Sequence, residues 1–75
     1  ALARKGIVYL LQKKYKEAIK YIQKSLEIEQ DNAEVLEHLG DVYQALRQPK
    51  KARIYYQRAA EIDKNNENLK RKLQP

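Results

Sequence analysis

Cysteine, phenylalanine, tryptophan and methionine are absent from this 75-residue chain, and glycine and proline occur only twice each. Without cysteine, the chain can form neither a disulfide framework nor a thiolate metal site. The longest apolar run, residues 7–11, is far shorter than the roughly 20 residues of a membrane-spanning helix. A chain this short makes one small domain with a thin hydrophobic core.

The balance of charge is basic, with a formal net charge of +6. A charge of this size can attract nucleic acid, anionic lipid or acidic peptides. It is also ordinary for a soluble helical domain, so the positions of the charges carry more information than their sum.

The chain contains an internal repeat with a period of 34 residues. Gly6 and Gly40, the only glycines, are separated by this step. A fixed period of this length indicates one supersecondary unit stacked on a copy of itself. The other identical pairs at this step are Leu2 and Leu36, Val8 and Val42, Tyr9 and Tyr43, Lys16 and Lys50, Ala18 and Ala52, Tyr21 and Tyr55, Gln23 and Gln57, Glu27 and Glu61, Ile28 and Ile62, and Asn32 and Asn66.

Apolar residues recur at spacings of three and four, and none alternate at two, which predicts an all-α fold. Pro49 fits a first helical position, and Asp31 with Glu34 resembles a capping box. We predict helices over residues 1–12, 15–29, 33–46, 49–63 and 66–73. The predicted inward-facing residues are Leu2, Val8, Tyr9, Leu11, Ala18, Ile19, Ile22, Ser25, Leu26, Ile28, Leu36, Leu39, Val42, Tyr43, Leu46, Ala52, Tyr55, Tyr56, Ala59, Ile62, Leu69 and Leu73.

Both glycines fall inside predicted helices, where glycine costs about 1 kcal/mol relative to alanine. Two glycines at the same repeat position indicate close contact between helices. We expect Ala18 and Ala52, on the second helix of each pair, to lie opposite Gly6 and Gly40.

These residues resemble the tetratricopeptide repeat family, whose 34-residue helix-turn-helix carries Leu-Gly, a tyrosine three residues later, and then alanine, an aromatic residue and a second alanine. The first unit matches less closely, because Lys5, Ile22 and Ser25 replace the leucine, the aromatic residue and the second alanine. The second unit matches at Leu36, Leu39, Gly40, Tyr43, Ala52, Tyr56 and Ala59.

The resemblance implies an α-solenoid with two stacked antiparallel helix-turn-helix units in a right-handed arc, plus a C-terminal capping helix. We expect a single domain over residues 1–75, with repeat 1 over 1–32, truncated at its start, and repeat 2 over 33–66. Residues 67–75 would be a capping helix or the start of a third repeat. Such arrays generally need three or more repeats. We therefore expect a fragment of a larger scaffold protein, or open repeat ends that pair with another copy.

The resemblance also implies a non-enzymatic module that binds an extended peptide or helix in a concave groove lined by the first helix of each unit. Glu34, Glu37 and Asp41 share one helix face because they are three and four residues apart. No lysine or arginine occurs between residues 33 and 46, so this stripe suits a peptide with basic and aliphatic side chains. Alternatively, the carboxylates only solvate the helix and favour its N-terminal half through the dipole. The predicted peptide-binding residues are Ala3, Ile7, Leu10, Glu34, Glu37, Asp41, Gln44 and Arg71.

Some members of the family bind the C-terminal carboxylate of chaperone peptides with lysine and asparagine side chains. Of the matching positions, only Lys72 keeps the positive charge, and Asn68 stands where a lysine is expected. The other matching positions are Ala3, Ile7 and His38, of which two are apolar. The sequence therefore argues against this ligand.

The sequence offers no catalytic constellation. His38 is the only histidine and Ser25 the only serine. His38 lies near Glu34, Glu37 and Asp41, but zinc requires three or four ligands of suitable geometry and only one nitrogen ligand is available. We predict no catalytic residue, no metal and no cofactor.

Basic residues concentrate in the turn and second helix of each unit and near the end of the sequence, and Lys16, Lys20 and Lys24 share one helix face. This pattern is typical of a solvated convex face, and the alternative is binding of nucleic acid or an anionic surface. Exposed aromatics usually accompany sequence-tolerant RNA binding, whereas most tyrosines here fall at packing positions. A protein partner is therefore favoured over nucleic acid, and nothing in the sequence identifies a compartment. The remaining basic residues of this group are Lys13, Lys14, Arg47, Lys50, Lys51, Arg53, Arg58, Lys70, Arg71 and Lys72.

Overall fold

The computed structural model describes residues 2–74, and within that range it contains five α-helices and no strand. Among the described residues, every predicted helix is confirmed to within one residue at each end, and the predicted first helical residue, Ala1, lies outside the described range. The helices are α1 (Leu2–Leu11), α2 (Tyr15–Ile28), α3 (Ala33–Ala45), α4 (Pro49–Ile62) and α5 (Glu67–Leu73).

Two equivalent tight turns join α1 to α2 and α3 to α4. Lys13 and Arg47 adopt left-handed backbone conformations, with φ of 63° and 62°. The Lys14 amide donates to the Tyr9 carbonyl at 2.9 Å, and the Lys13 amide donates to the Leu10 carbonyl at 3.0 Å. This pair of bonds is a Schellman motif, and the amides of Gln48 and Arg47 repeat it. The turns reverse the chain, so each helix pair is an antiparallel hairpin.

Asparagine side chains cap α3 and α5 at their N-terminal ends. The Asn32 Oδ1 atom accepts a hydrogen bond from the Val35 amide at 3.2 Å, and the Asn66 Oδ1 atom accepts one from Leu69 at the same distance. The predicted Asp31–Glu34 capping box is wrong, because the N-cap residue of α3 is Asn32, and its side chain rather than that of Asp31 accepts the hydrogen bond from a free amide at the helix start. Pro49 is at the start of α4, as predicted.

The helices pack as consecutive pairs in two layers. α1 packs on α2 and α3 packs on α4, and the contacts of α2 with α3 and of α4 with α5 join these units. α1 also touches α3, and a Lys72 side chain on α5 bonds to α3. We call α1, α3 and α5 the first-helix layer and α2 and α4 the second-helix layer. The predicted all-α stack of helix pairs is confirmed.

Two clusters of buried side chains form the core. The first joins the two hairpins and contains Ala18, Ile22, Val35, Leu39 and Val42. The second lies between the second hairpin and α5. Its members are Leu36, Ala52, Tyr56, Ala59 and Leu69.

Four residues predicted to face inward are exposed instead. Val8 is 45% exposed and Leu11 is 77% exposed, whereas Val42, the repeat equivalent of Val8, is fully buried. The reason is position in the stack: α2 packs against α3 and covers Val42, but no described helix covers the outer side of α1. Ile28 and Ile62, near the ends of α2 and α4, are also exposed. Self-association through these ends stays a prediction.

The two glycines allow close contact between the helices of each hairpin, as predicted, and the nearest atoms to each belong to Ile22 and Tyr56. A Cβ atom on Gly6 would lie 2.6 Å from the Ile22 Cγ1 atom, and one on Gly40 would lie 2.5 Å from the Tyr56 ring. Ala18 and Ala52, the expected partners, are both fully buried, and the Ala18 carbonyl lies 3.3 Å from the Gly6 position. The side chains one helical turn after these alanines, Ile22 and Tyr56, therefore occupy the space left by Gly6 and Gly40.

Candidate functional site

The acidic residues of α3 form a stripe on the first-helix layer. We call Glu34, Glu37 and Asp41 the acidic stripe. Their side chains differ in accessibility, with Glu34 at 78% exposed, Glu37 at 16% and Asp41 at 29%. Glu34 therefore faces solvent, whereas the other two carboxylates are partly covered by neighbouring groups.

A lysine from α5 covers the inner part of the stripe. The Lys72 Nζ atom donates to the Glu37 Oε2 atom at 2.7 Å and to the Asp41 Oδ1 atom at 3.0 Å. The same ammonium lies 5.5 Å from the centre of the Tyr56 ring, within the usual range of a cation–π contact. Two carboxylates and an aromatic ring thus hold one primary ammonium group.

Tyr56 connects this cluster to the core. Its hydroxyl donates a hydrogen bond to the Asp41 Oδ1 atom at 2.6 Å, and its ring packs in the second core cluster. Burial raises the pKa of Tyr56 well above its ordinary value, and the Asp41 hydrogen bond and the charges of Asp41 and Glu37 raise it further. The hydroxyl therefore remains a donor that orients Asp41.

The charges around Lys72 favour its protonated form. Burial alone would lower the pKa of Lys72, but the hydrogen bonds to Glu37 and Asp41 outweigh this effect and the pKa is raised overall. The ammonium group is therefore charged at neutral pH and neutralises part of the acidic stripe.

His38 lies beside the stripe without a hydrogen bond to it. Its Nε2 atom is 3.9 Å from Glu34 and its Nδ1 atom is 3.8 Å from Asp41. The Nδ1 atom is buried and has no hydrogen-bond partner among the described residues. Residues 2–74 contain no group of three or more histidine or acidic side chains arranged to hold a metal ion.

The other predicted site residues have different environments. Ala3 and Leu10 pack partly against the first core cluster, and Ile7 is half-buried on the same helix. Gln44 and Arg71 are exposed. α1 and α3 are neighbours, so the layer brings an apolar segment beside the acidic stripe. Assignment of these residues to a peptide site stays a prediction.

Surface clefts lie at the edges of this layer. Ala3 lines a cleft of about 450 Å³ together with Ser25 and Ile28. Gln44 lines another, of about 360 Å³, together with Tyr56 and Lys72. The second cleft adjoins the bonded cluster at the start of α4, where its other charged lining residues, Lys50 and Arg53, are basic.

Sequence reasoning missed the pairing of Lys72 with the acidic stripe. The residues are 35 and 31 positions apart, so no local spacing could reveal their contact. The 34-residue period does carry a signal, because it places residue 72 at the position equivalent to His38, which itself lies next to the stripe. Lys72 occupies a position that binds a peptide carboxylate in some family members, but here it bonds to the protein's own Glu37 and Asp41.

None of the five described helices is long and apolar enough to cross a membrane. A search of curated proteins found no match. The tetratricopeptide repeat family model matches residues 1–65, which is most of the chain. The helix pairs, the shared glycine contacts and the repeated caps agree with this match, and the chain belongs to the tetratricopeptide repeat family.

Proposed function

We propose that the chain is a non-enzymatic module that binds an extended peptide on the first-helix layer. Membership of a family whose repeats generally serve as protein-interaction modules supports this proposal. The site consists of the acidic stripe on α3 and the half-buried Ile7 on the neighbouring α1.

The Lys72 contact carries the proposal. Glu37 and Asp41 hold an ammonium group at 2.7 and 3.0 Å, and the Tyr56 ring lies beneath it. This arrangement recognises a lysine side chain, because carboxylates accept its three donors and the ring interacts with its charge. The favoured ligand is therefore a peptide with a lysine that pairs with the stripe and an aliphatic residue that contacts Ile7.

Lys72 and the ligand would compete for the same carboxylates. Glu34, at the solvent-exposed end of the stripe, has no lysine or arginine partner within 4.0 Å among residues 2–74. A ligand lysine can thus bind first to Glu34 and then replace Lys72 on Glu37 and Asp41. This order of binding predicts that substitution of Glu34 weakens peptide binding and that substitution of Lys72 strengthens it.

Isothermal titration calorimetry with a twelve-residue peptide of two lysines and two leucines among glycines and serines tests these effects. Glu34→Gln should weaken binding about two- to fivefold, the range expected for one exposed ion pair. Lys72→Gln should strengthen binding by a similar factor, because it frees Glu37 and Asp41. A peptide with glutamate in place of lysine is the ligand control.

Glu27→Gln is the matched control variant, since Glu27 is an exposed acid on the second-helix layer. Circular dichroism must show that the helix content of Lys72→Gln equals that of the unaltered chain. Equal losses in Glu34→Gln and Glu27→Gln would overturn the assignment of the stripe, as would unchanged or weaker binding by a fully folded Lys72→Gln variant.

A further inference from the structure

The first hairpin carries a second surface, which is basic and aromatic, whereas the acidic stripe is negatively charged. The rings of Tyr9 on α1 and Tyr21 on α2 stack with centres 5.5 Å apart and planes 15° apart. Both residues are partly exposed. We call these rings and the lysines around them the tyrosine–lysine face, whose members are Lys5, Tyr9, Lys14, Lys20, Tyr21 and Lys24.

Four ammonium groups surround the stacked rings. Lys5 lies 4.8 Å from the centre of the Tyr21 ring, and Lys20 and Lys24 lie 5.7 and 5.9 Å from it. Lys14 lies 5.9 Å from the Tyr9 ring. Within residues 2–74, none of these ammonium groups has a carboxylate within 4.0 Å. The face therefore concentrates positive charge that the fold itself does not neutralise.

The equivalent face of the second hairpin is packed differently. There, Tyr43 and Tyr55 form the same stack at 5.5 Å, and both pack against the core between the hairpins. Tyr9 also packs against this core, but Tyr21 is not among the described side chains that pack against either core cluster. Leu39, fully buried in that interface, is replaced by the exposed Lys5 in the first hairpin. A charge at this position opposes apolar stacking and favours an anionic occupant.

We propose that the tyrosine–lysine face binds single-stranded nucleic acid. Lysine ammonium groups pair with the phosphates, and the partly exposed Tyr21 ring supplies an aromatic surface on which a base stacks. When a base stacks on the Tyr21 ring, the Lys5 ammonium that lies over the ring moves to a phosphate. The combination of unpaired cations and accessible aromatic rings favours nucleic acid over an acidic peptide or a lipid surface, which need only the cations.

Fluorescence anisotropy with a labelled twelve-nucleotide single-stranded RNA tests the proposal on the full chain. Four phosphate contacts predict an affinity loss of about fiftyfold between 50 and 200 mM salt. The triple variant Lys5→Gln, Lys20→Gln, Lys24→Gln retains one contact and should lose only about threefold. Tyr21→Leu should weaken binding at least about fivefold at either salt concentration, because base stacking on the ring is lost.

The matched control is Lys50→Gln, Lys64→Gln, Lys70→Gln, which lowers the net charge from +6 to +3 as the test variant does. It should retain most of the affinity and the steep salt dependence, and Glu34→Gln should leave RNA binding unchanged. Equal loss in both triple variants would show bulk attraction and overturn the proposal. Equal or tighter binding of polyglutamate or anionic vesicles, or unchanged RNA binding by Tyr21→Leu, would also overturn it.

Discussion

Gly40 lies where the packing of the second hairpin leaves no room for a side chain. A Cβ atom there would meet the Tyr56 ring at 2.5 Å, and the hydroxyl of that ring is held by Asp41. Overpacking costs about 1–3 kcal/mol, whereas alanine gains about 1 kcal/mol of helix propensity over glycine. We expect Gly40→Ala to lower the free energy of unfolding by about 1 kcal/mol, as measured by urea denaturation.

The control for this prediction is Gln23→Ala on the exposed side of α2. It should change the free energy of unfolding by no more than about 0.5 kcal/mol. A Gly40→Ala variant as stable as the unaltered chain would show that the Tyr56 ring moves without cost.

Ionisation of the Tyr56 hydroxyl makes the stability of the fold depend on pH in the alkaline range. Its pKa is raised by burial and by Asp41 above the ordinary value of 10.0, so the protonated form stabilises the fold. That stabilisation is complete below about pH 10 and is lost as the pH rises beyond it. We expect the thermal midpoint to fall above about pH 10, and to fall less steeply in Tyr56→Phe.

Tyr56→Phe should also lower the midpoint at pH 8, because Asp41 loses its hydroxyl donor. Some alkaline sensitivity should persist, since burial also raises the pKa of Tyr43 and the pKa of Lys72 is raised by its carboxylate partners. Parallel curves for the two proteins above pH 10 would contradict this role of Tyr56.

At the scale of elements, the C-terminal ends of α1 and α3 have the same backbone structure. Lys13 and Arg47 occupy the left-handed position that ends α1 and α3, where glycine is usual. A non-glycine residue in this conformation lowers the stability of the fold by about 1 kcal/mol. We expect Arg47→Gly to raise the free energy of unfolding by up to about 1 kcal/mol, and thermal unfolding to show the increase.

The same chemical change within a helix should have the opposite effect. Arg53→Gly, at an exposed position in α4, should lower the free energy of unfolding by about 1 kcal/mol. Destabilisation in both variants would indicate that the Arg47 side chain contributes a contact that outweighs its backbone strain.

At the scale of the whole molecule, the sequence was sufficient to predict the helices and their pairing. Their hydrophobic spacing and the 34-residue step are local or periodic signals. The exposure of Val8 was not predictable from periodicity, because its equivalent Val42 is covered only through its place between two hairpins. The Lys72 contact was missed for a related reason, since it joins α5 to α3 over a sequence separation of 35 residues.

The most direct test of the proposed peptide site is a ¹H–¹⁵N NMR titration of the full chain with the lysine- and leucine-containing peptide. We expect the largest saturable shifts at the amides of Ile7, Glu34, Glu37 and Gln44, with smaller shifts on α5 as Lys72 is displaced. The largest shifts on Lys16, Lys20 and Lys24, with the acidic stripe unmoved, would contradict the assignment of the first-helix layer as the binding surface.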